Sequence, residues 1–220
     1  MTLNPVLSEL GRAGLVPVIK IDRLQDAVPL AAALVGAGVP VMEITFRTAA
    51  ARDAIQRIAR DVPAVVLGAG TVLTLEQAQE AVDAGARYIV SPGYHAGIVD
   101  WCGARGIPVA PGVATATEIM SALDKGLQIL KFFPAEELGG VRMLKALAGP
   151  FANVRFIPTG GITAGTLAEY LALPNVFAVG GSWMVAPRLI AAGDFSEIAR
   201  LAAEARNIVR QVRQEGAAAP

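Results

Sequence analysis

An α/β protein, a (β/α)8 TIM barrel with an N-terminal covering helix, is the fold this sequence predicts, and three observations carry the prediction. Eight short β-branched runs recur along the 220 residues at intervals of about 20–26. Between them lie Ala/Leu-rich segments with helical periodicity. The runs are apolar almost throughout, which is what burial on both faces of a parallel sheet demands.

In chain order, a helical pattern over 3–13 supplies the cover. The runs are VPVI (16–19), VPVMEIT (39–45), AVVLG (64–68), YIV (88–90), IPVA (107–110), LQILKFF (127–133), VRFIP (154–158) and VFAV (176–179). Thr74, Thr115 and Thr163 open intervening helices as N-caps, and glycine closes others in GAG (36–38), DAG (83–85) and DKG (124–126). A helix over 194–213 completes the outer ring, and the alanine-rich stretch after Gln214 reads as a polar tail. A doubly wound open sheet would also alternate strands with helices, but no GxGxxG follows the first run. No linker or low-complexity segment divides the chain, so residues 1–220 read as one barrel domain.

Composition narrows the function. Hydrophobic residues make up 54% and charged ones 17%, enough apolar material for a large core. Nineteen basic and nineteen acidic side chains cancel without a basic block, so neither nucleic acid nor a membrane surface is an expected partner. One long uncharged run, Ala27 to Met42, is broken by Pro29, Gly36, Gly38 and Pro40 and is too short to span a bilayer. The N-terminus lacks a basic n-region and carries Glu9 in its first helical pattern, so the expected location is the cytoplasm. One cysteine, Cys102, and one histidine, His95, leave few ligands for a metal, and no metal or other cofactor is expected. His95 reads as a helix cap or an exposed loop residue rather than a catalytic group.

In a barrel the chemistry gathers just past the C-terminal ends of the strands. Here those positions hold Glu43, Thr45 and Arg47, then GAGT (68–71), SPG (91–93), PG (111–112), Lys131, TGG (159–161) and GGS (180–182). Lys131 lies between Leu130 and Phe132, inside an apolar run. Burying an unpaired ammonium costs several kcal/mol, and the uncharged amine is the nucleophile that converts a ketone to an imine. The other reading is a lysine that snorkels from the strand end or pairs with a carboxylate. Lys125 and Lys145 look structural, whereas Lys20, ending the first run beside Asp22, is the rival amine.

The glycine pairs Gly160–Gly161 and Gly180–Gly181, with Thr159 and Ser182 beside them, follow adjacent strands and suit a phosphate held by backbone amides. Glu43 and Arg47 would form a plain ion pair if they stood on the surface. At the rim, Glu43 suits a general acid/base and Arg47 a bidentate carboxylate grip, with Thr71 adding a hydroxyl. Arg47 and Thr71 on one side and the glycine pairs on the other form two anion sites facing each other across the mouth.

Taken together, VMEITFRT, GAGTVLT, SPG, KFFPAE, GPF, RFIPTGGIT and GGSWMV, in that order, resemble the 2-keto-3-deoxy-6-phosphogluconate aldolase family, which overlaps with 4-hydroxy-2-oxoglutarate aldolase activity. The resemblance runs from about Leu15 to GDF near residue 195. It implies a class I aldolase, usually trimeric, whose partner is a phosphorylated keto-deoxy acid cleaved to pyruvate and glyceraldehyde 3-phosphate. By motif it implies Lys131 as the imine-forming lysine, Glu43 as general acid/base, and Arg47 and Thr71 as pyruvoyl contacts. Pro92 and Phe133 would line the pocket, Thr159 would sit near the imine, and Gly160, Gly161, Gly180, Gly181 and Ser182 would form the phosphate end. Lys20 departs from related sequences, which often have an apolar residue there. Three other readings stay open at this level: an aldolase for the C4-epimeric galactonate substrate, a metal-dependent aldolase, and a phosphate-binding barrel without covalent chemistry.

Overall fold

The structure, a computed structural model, describes residues 3–218. The first half of the chain runs α1 (Pro5–Ala13), β1 (Leu15–Ile19), α2 (Ala27–Gly36), β2 (Val41–Thr45), α3 (Ala51–Asp61), β3 (Val66–Gly70), α4 (Leu75–Asp83), β4 (Tyr88–Val90) and α5 (Ala96–Ala104). Then come β5 (Val109–Ala110), β6 (Gly112–Val113), α6 (Ala116–Asp124), β7 (Ile129–Phe132), α7 (Gly140–Ala148) and β8 (Arg155–Pro158). The chain closes with α8 (Leu167–Leu171), β9 (Val179–Gly181), α9 (Pro187–Ala192) and α10 (Phe195–Ala218). This is an α/β fold with a curled parallel sheet. Six strands pair in the order β5-β4-β3-β2-β1-β9 and three in the order β6-β7-β8, all parallel.

Local chemistry explains most boundaries. Asn4 caps α1 by accepting from the Val6 amide, Pro5 occupies a first-turn position that needs no donor, and Gly14 ends the helix in a left-handed conformation. Thr74 caps α4, and Thr115 with Glu118 forms a capping box on α6. Every residue of β2, β3 and β7 is buried, as parallel strands covered on both faces require.

Four expectations from the sequence are corrected. Glycines in GAG (68–70) and GGS (180–182) were expected to follow their strands, yet β3 runs through Gly70 and β9 through Gly181. Tertiary space decides this: a Cβ on Gly68 would lie 2.2 Å from the Tyr88 ring, and one on Gly180 would lie 2.2 Å from the Thr159 hydroxyl. The fifth run and the PG after it become two strands, because Pro111 has no amide to continue the ladder and the chain changes partner from β4 to β7 there. Thr163 does not cap a helix; its amide donates to the Thr166 hydroxyl, and α8 begins only at Leu167. The stretch after Gln214 continues α10 to Ala218 instead of leaving as a tail. No helix among the described residues is long and apolar enough to cross a membrane.

Candidate active site

Glu43 is the third residue of β2 and Lys131 the third of β7, two strands that are not hydrogen-bonded neighbours. Their side chains therefore meet across the concave side of the sheet. Lys131 Nζ lies 3.7 Å from Glu43 Oε1, and each side chain is only 5% exposed. That separation is an ion pair but not a hydrogen bond, which for charged partners closes to roughly 2.8 Å. Glu43 Oε1 has no hydrogen-bond partner. Glu43 was expected at the rim, half-solvated; it instead lies mid-strand and fully enclosed.

The surrounding sequence makes room for this carboxylate. A Cβ on Gly70 would come within 1.8 Å of Glu43 Oε1, so any side chain there would evict it. Tyr88 closes the neighbouring space and donates from its hydroxyl to the Met42 carbonyl at 2.8 Å. Burial first, and the Glu43 charge second, hold the Tyr88 hydroxyl protonated well above the usual phenol range. Lys131 Nζ also sits 5.0 Å from the centre of the Phe133 ring, a cation–π distance.

Phe133, on which Lys131 Nζ stacks, contributes to a cavity of about 330 Å³ whose wall includes neither Lys131 nor Glu43. Its wall also carries Lys20, Arg47, Thr159, Gly160, Gly161, Gly180, Gly181 and Ser182, with Val18, Ile162, Val185 and Pro187 between them. Arg47 and both glycine pairs line this one cavity, Arg47 from the β2 side and the glycines from β8 and β9. β1 lies between β2 and β9 in the sheet, so the residues that follow these neighbouring strands reach the same cavity.

Gly161 has φ +78°, and a Cβ there would lie 2.6 Å from Glu136 Cγ; the turn is open only to glycine. Among the described residues neither the Gly160 nor the Gly161 amide donates a hydrogen bond to a backbone carbonyl. Two such amides beside each other are the donor arrangement that oxyanions use.

Thr71 and Pro92 are not part of this cavity wall. Thr71 follows Gly70 and is the one described non-glycine residue at positive φ, +55°, a conformation that costs about 1 kcal/mol or more. Pro92 packs against β6: its carbonyl would be 2.1 Å from a Cβ on Gly112, and Gly112 is the residue in register with Lys131. Sequence reasoning passed over Gly70, Tyr88 and Gly112; the Gly-x-Gly of a strand was the one available signal, and it reads as a turn. His95 caps α5 by accepting from the Ile98 amide, as expected of it. Cys102 is enclosed, and burial pushes its thiol up to about 11.

Three comparisons with known proteins agree with one another. The profile of the family described as "Aldolase: KDPG and KHG aldolase" matches residues 6–201. The 2-dehydro-3-deoxy-phosphogluconate aldolase of Treponema pallidum is 52% identical over 93% of this chain and 97% of its own. The KHG/KDPG aldolase of Escherichia coli is 48% identical over 86% of this chain and 89% of its own. Among solved structures, the KDPG aldolase of Legionella pneumophila, with pyruvate captured as a covalent carbinolamine, superposes with a TM-score of 0.88. It is 42% identical and covers 91% of this chain and 97% of its own.

Proposed function

Because this chain belongs to the KDPG and KHG aldolase family, we infer that it cleaves 2-dehydro-3-deoxy-6-phosphogluconate to pyruvate and glyceraldehyde 3-phosphate through an imine on Lys131. The same pyruvoyl chemistry extends to 4-hydroxy-2-oxoglutarate, giving pyruvate and glyoxylate. The observation that carries the reading is the enclosed Lys131–Glu43 pair, 3.7 Å apart and with an unsatisfied carboxylate oxygen, joined through Phe133 to a cavity of ligand size. A buried ion pair is a poor stabiliser, and one left without hydrogen bonds is a cost that chemistry explains better than folding does.

The steps follow from those two groups. The Lys131 amine adds to the C2 ketone, giving a carbinolamine, and loss of water gives the protonated imine. Glu43 removes the C4 hydroxyl proton, the C3–C4 bond breaks, and its electron pair flows into the imine to form the enamine. Glyceraldehyde 3-phosphate leaves; Glu43 returns a proton to C3, and water releases pyruvate and the free amine. Arg47 and Thr71 hold the carboxylate, Phe133 and Pro92 shape the pyruvoyl pocket, and Thr159 lies beside the imine. Gly160, Gly161, Gly180, Gly181 and Ser182 receive the phosphate.

The scaffold for this site is best described as one closed eight-stranded barrel domain. Residues 109–113 are bonded to β4 on one side and β7 on the other, and bridges Phe156–Val176 and Thr159–Gly180 join β8 to the segment ending in β9. Exposed Leu73 and Met120 favour association with further copies, and a trimer is the proposed assembly, checked by light scattering. Borohydride added with labelled pyruvate tests the whole reading: the label should become fixed on Lys131, and an unlabelled protein would refute it.

A further inference from the structure

Lys20 takes no part in the chemistry above, yet its position is specific. β1 runs parallel to β9 with Val16 opposite Gly180 and Pro17 opposite Gly181, so the residues after β1 emerge beside Ser182. Alternation then sends Val18 and Lys20 to the cavity, while Ile19 and Ile21 are fully buried on the other side. The chain thus sets an ammonium group in the wall shared with both glycine turns.

Its current partner is weak. Lys20 Nζ lies 2.7 Å from Asp22, but the two side chains are 35% and 58% exposed, and such pairs contribute about 0–1 kcal/mol. A phosphate monoester carrying nearly two negative charges is the stronger partner for the same ammonium. The neighbouring cation, Arg23, is unavailable: it is held by both Asp26 oxygens and by the carbonyls of Ile190 and Ala191.

We propose that Lys20 is a specificity-determining residue that binds the substrate's phosphate directly, exchanging Asp22 for it, and so raises the preference for phosphorylated over unphosphorylated keto acids. This rests on the aldolase reading for the identity of the substrate, but not for the anion site itself. The glycine amides can hold a phosphate by hydrogen bonds alone; Lys20 adds a mobile charge, and Asp22 sets how readily that charge is given up.

Inorganic phosphate binding to the full chain, measured by titration calorimetry, tests the site without requiring any activity. Lys20→Gln should weaken it about tenfold, the scale of one hydrogen bond to a charged group, Lys20→Arg should retain it, and Asp22→Asn should strengthen it. Equal affinity in the wild type and Lys20→Gln would overturn the proposal. In turnover, the ratio of kcat/KM for 2-dehydro-3-deoxy-6-phosphogluconate to that for 4-hydroxy-2-oxoglutarate should fall about tenfold in Lys20→Gln and recover in Lys20→Arg. A ratio that does not move overturns it as well. Absence of borohydride trapping in the wild type would instead remove the aldolase reading, leaving the phosphate titration to decide on Lys20.

Discussion

Two cavities lie at opposite ends of the same strands, and the larger is the chemically quieter one. A groove of about 680 Å³ runs between α1 and the N-terminal ends of β5 and β7, lined by Leu7, Val99, Ile107, Leu127 and Arg155 among others. Several of its polar groups are engaged: Lys125 is paired with Asp100 at 2.7 Å, Asn4 caps α1, and the Arg155 guanidinium stacks 4.7 Å from the Phe177 ring. The mouth cavity has half that volume. It adjoins the buried Lys131–Glu43 pair through Phe133, opens onto the Gly160 and Gly161 amides, which bond to no carbonyl among the described residues, and carries Arg47, which forms no ion pair among them. Unused polar capacity, not volume, distinguishes a reactive site from a packing defect.

The sharpest way to break that contrast is to remove the buried amine. Lys131→Ala should abolish borohydride trapping of pyruvate and lower cleavage on the order of a thousandfold or more, since no other group at the site forms the imine. Label found on Lys20 in the wild-type protein would reverse the assignment of the two lysines. Next in size is Glu43→Gln, which keeps the shape but removes the base. Trapping should persist while exchange of the pyruvate methyl protons in deuterium oxide drops roughly a hundredfold or more. Exchange at the wild-type rate would mean that the unsatisfied carboxylate is incidental.

Smaller effects should separate the two ends of the mouth cavity. Ser182→Asp places a like charge at the phosphate end and should reduce cleavage of the phosphorylated substrate about tenfold more than pyruvate proton exchange. Arg47→Ala should depress both reactions together. Substituting Gly161 is the poorer probe, because its φ of +78° and the nearby Glu136 side chain would add backbone strain to any loss of binding. The smallest effect belongs to the other end of the strands. Val99→Ala should destabilise the protein by about 1–2 kcal/mol in a denaturant melt, while kcat/KM stays within about twofold. A large activity loss with the fold intact would show that the larger groove is coupled to the chemistry.

Much of this was legible before the fold was known. Lys131 stands out because a charge interrupts an apolar run, and glycines after adjacent strands stand out because few other features bring backbone amides to a ligand. What misled was the local meaning of glycine. In β3 and β9 the glycines continue the strand, and they are there for the sake of side chains far away in sequence: Gly68 for Tyr88, Gly70 for Glu43, Gly180 for Thr159. Propensity sees a flexible residue and cannot see the atom that needs its missing Cβ.

Short-range pattern alone set the alternation of strands and helices, the caps of α4 and α6, and the residue types gathered at one end of the strands. Each of these depends on contacts within a few residues, where hydrogen-bond geometry and hydrophobic periodicity act directly. Long-range packing settles that Glu43 is enclosed rather than at the rim, that it faces Lys131 from a non-adjacent strand, and that Arg47 shares a cavity with the glycine turns. Those relations depend on how far the sheet curls, which is set by the summed twist and packing of all its strands and is written in no single stretch of the chain.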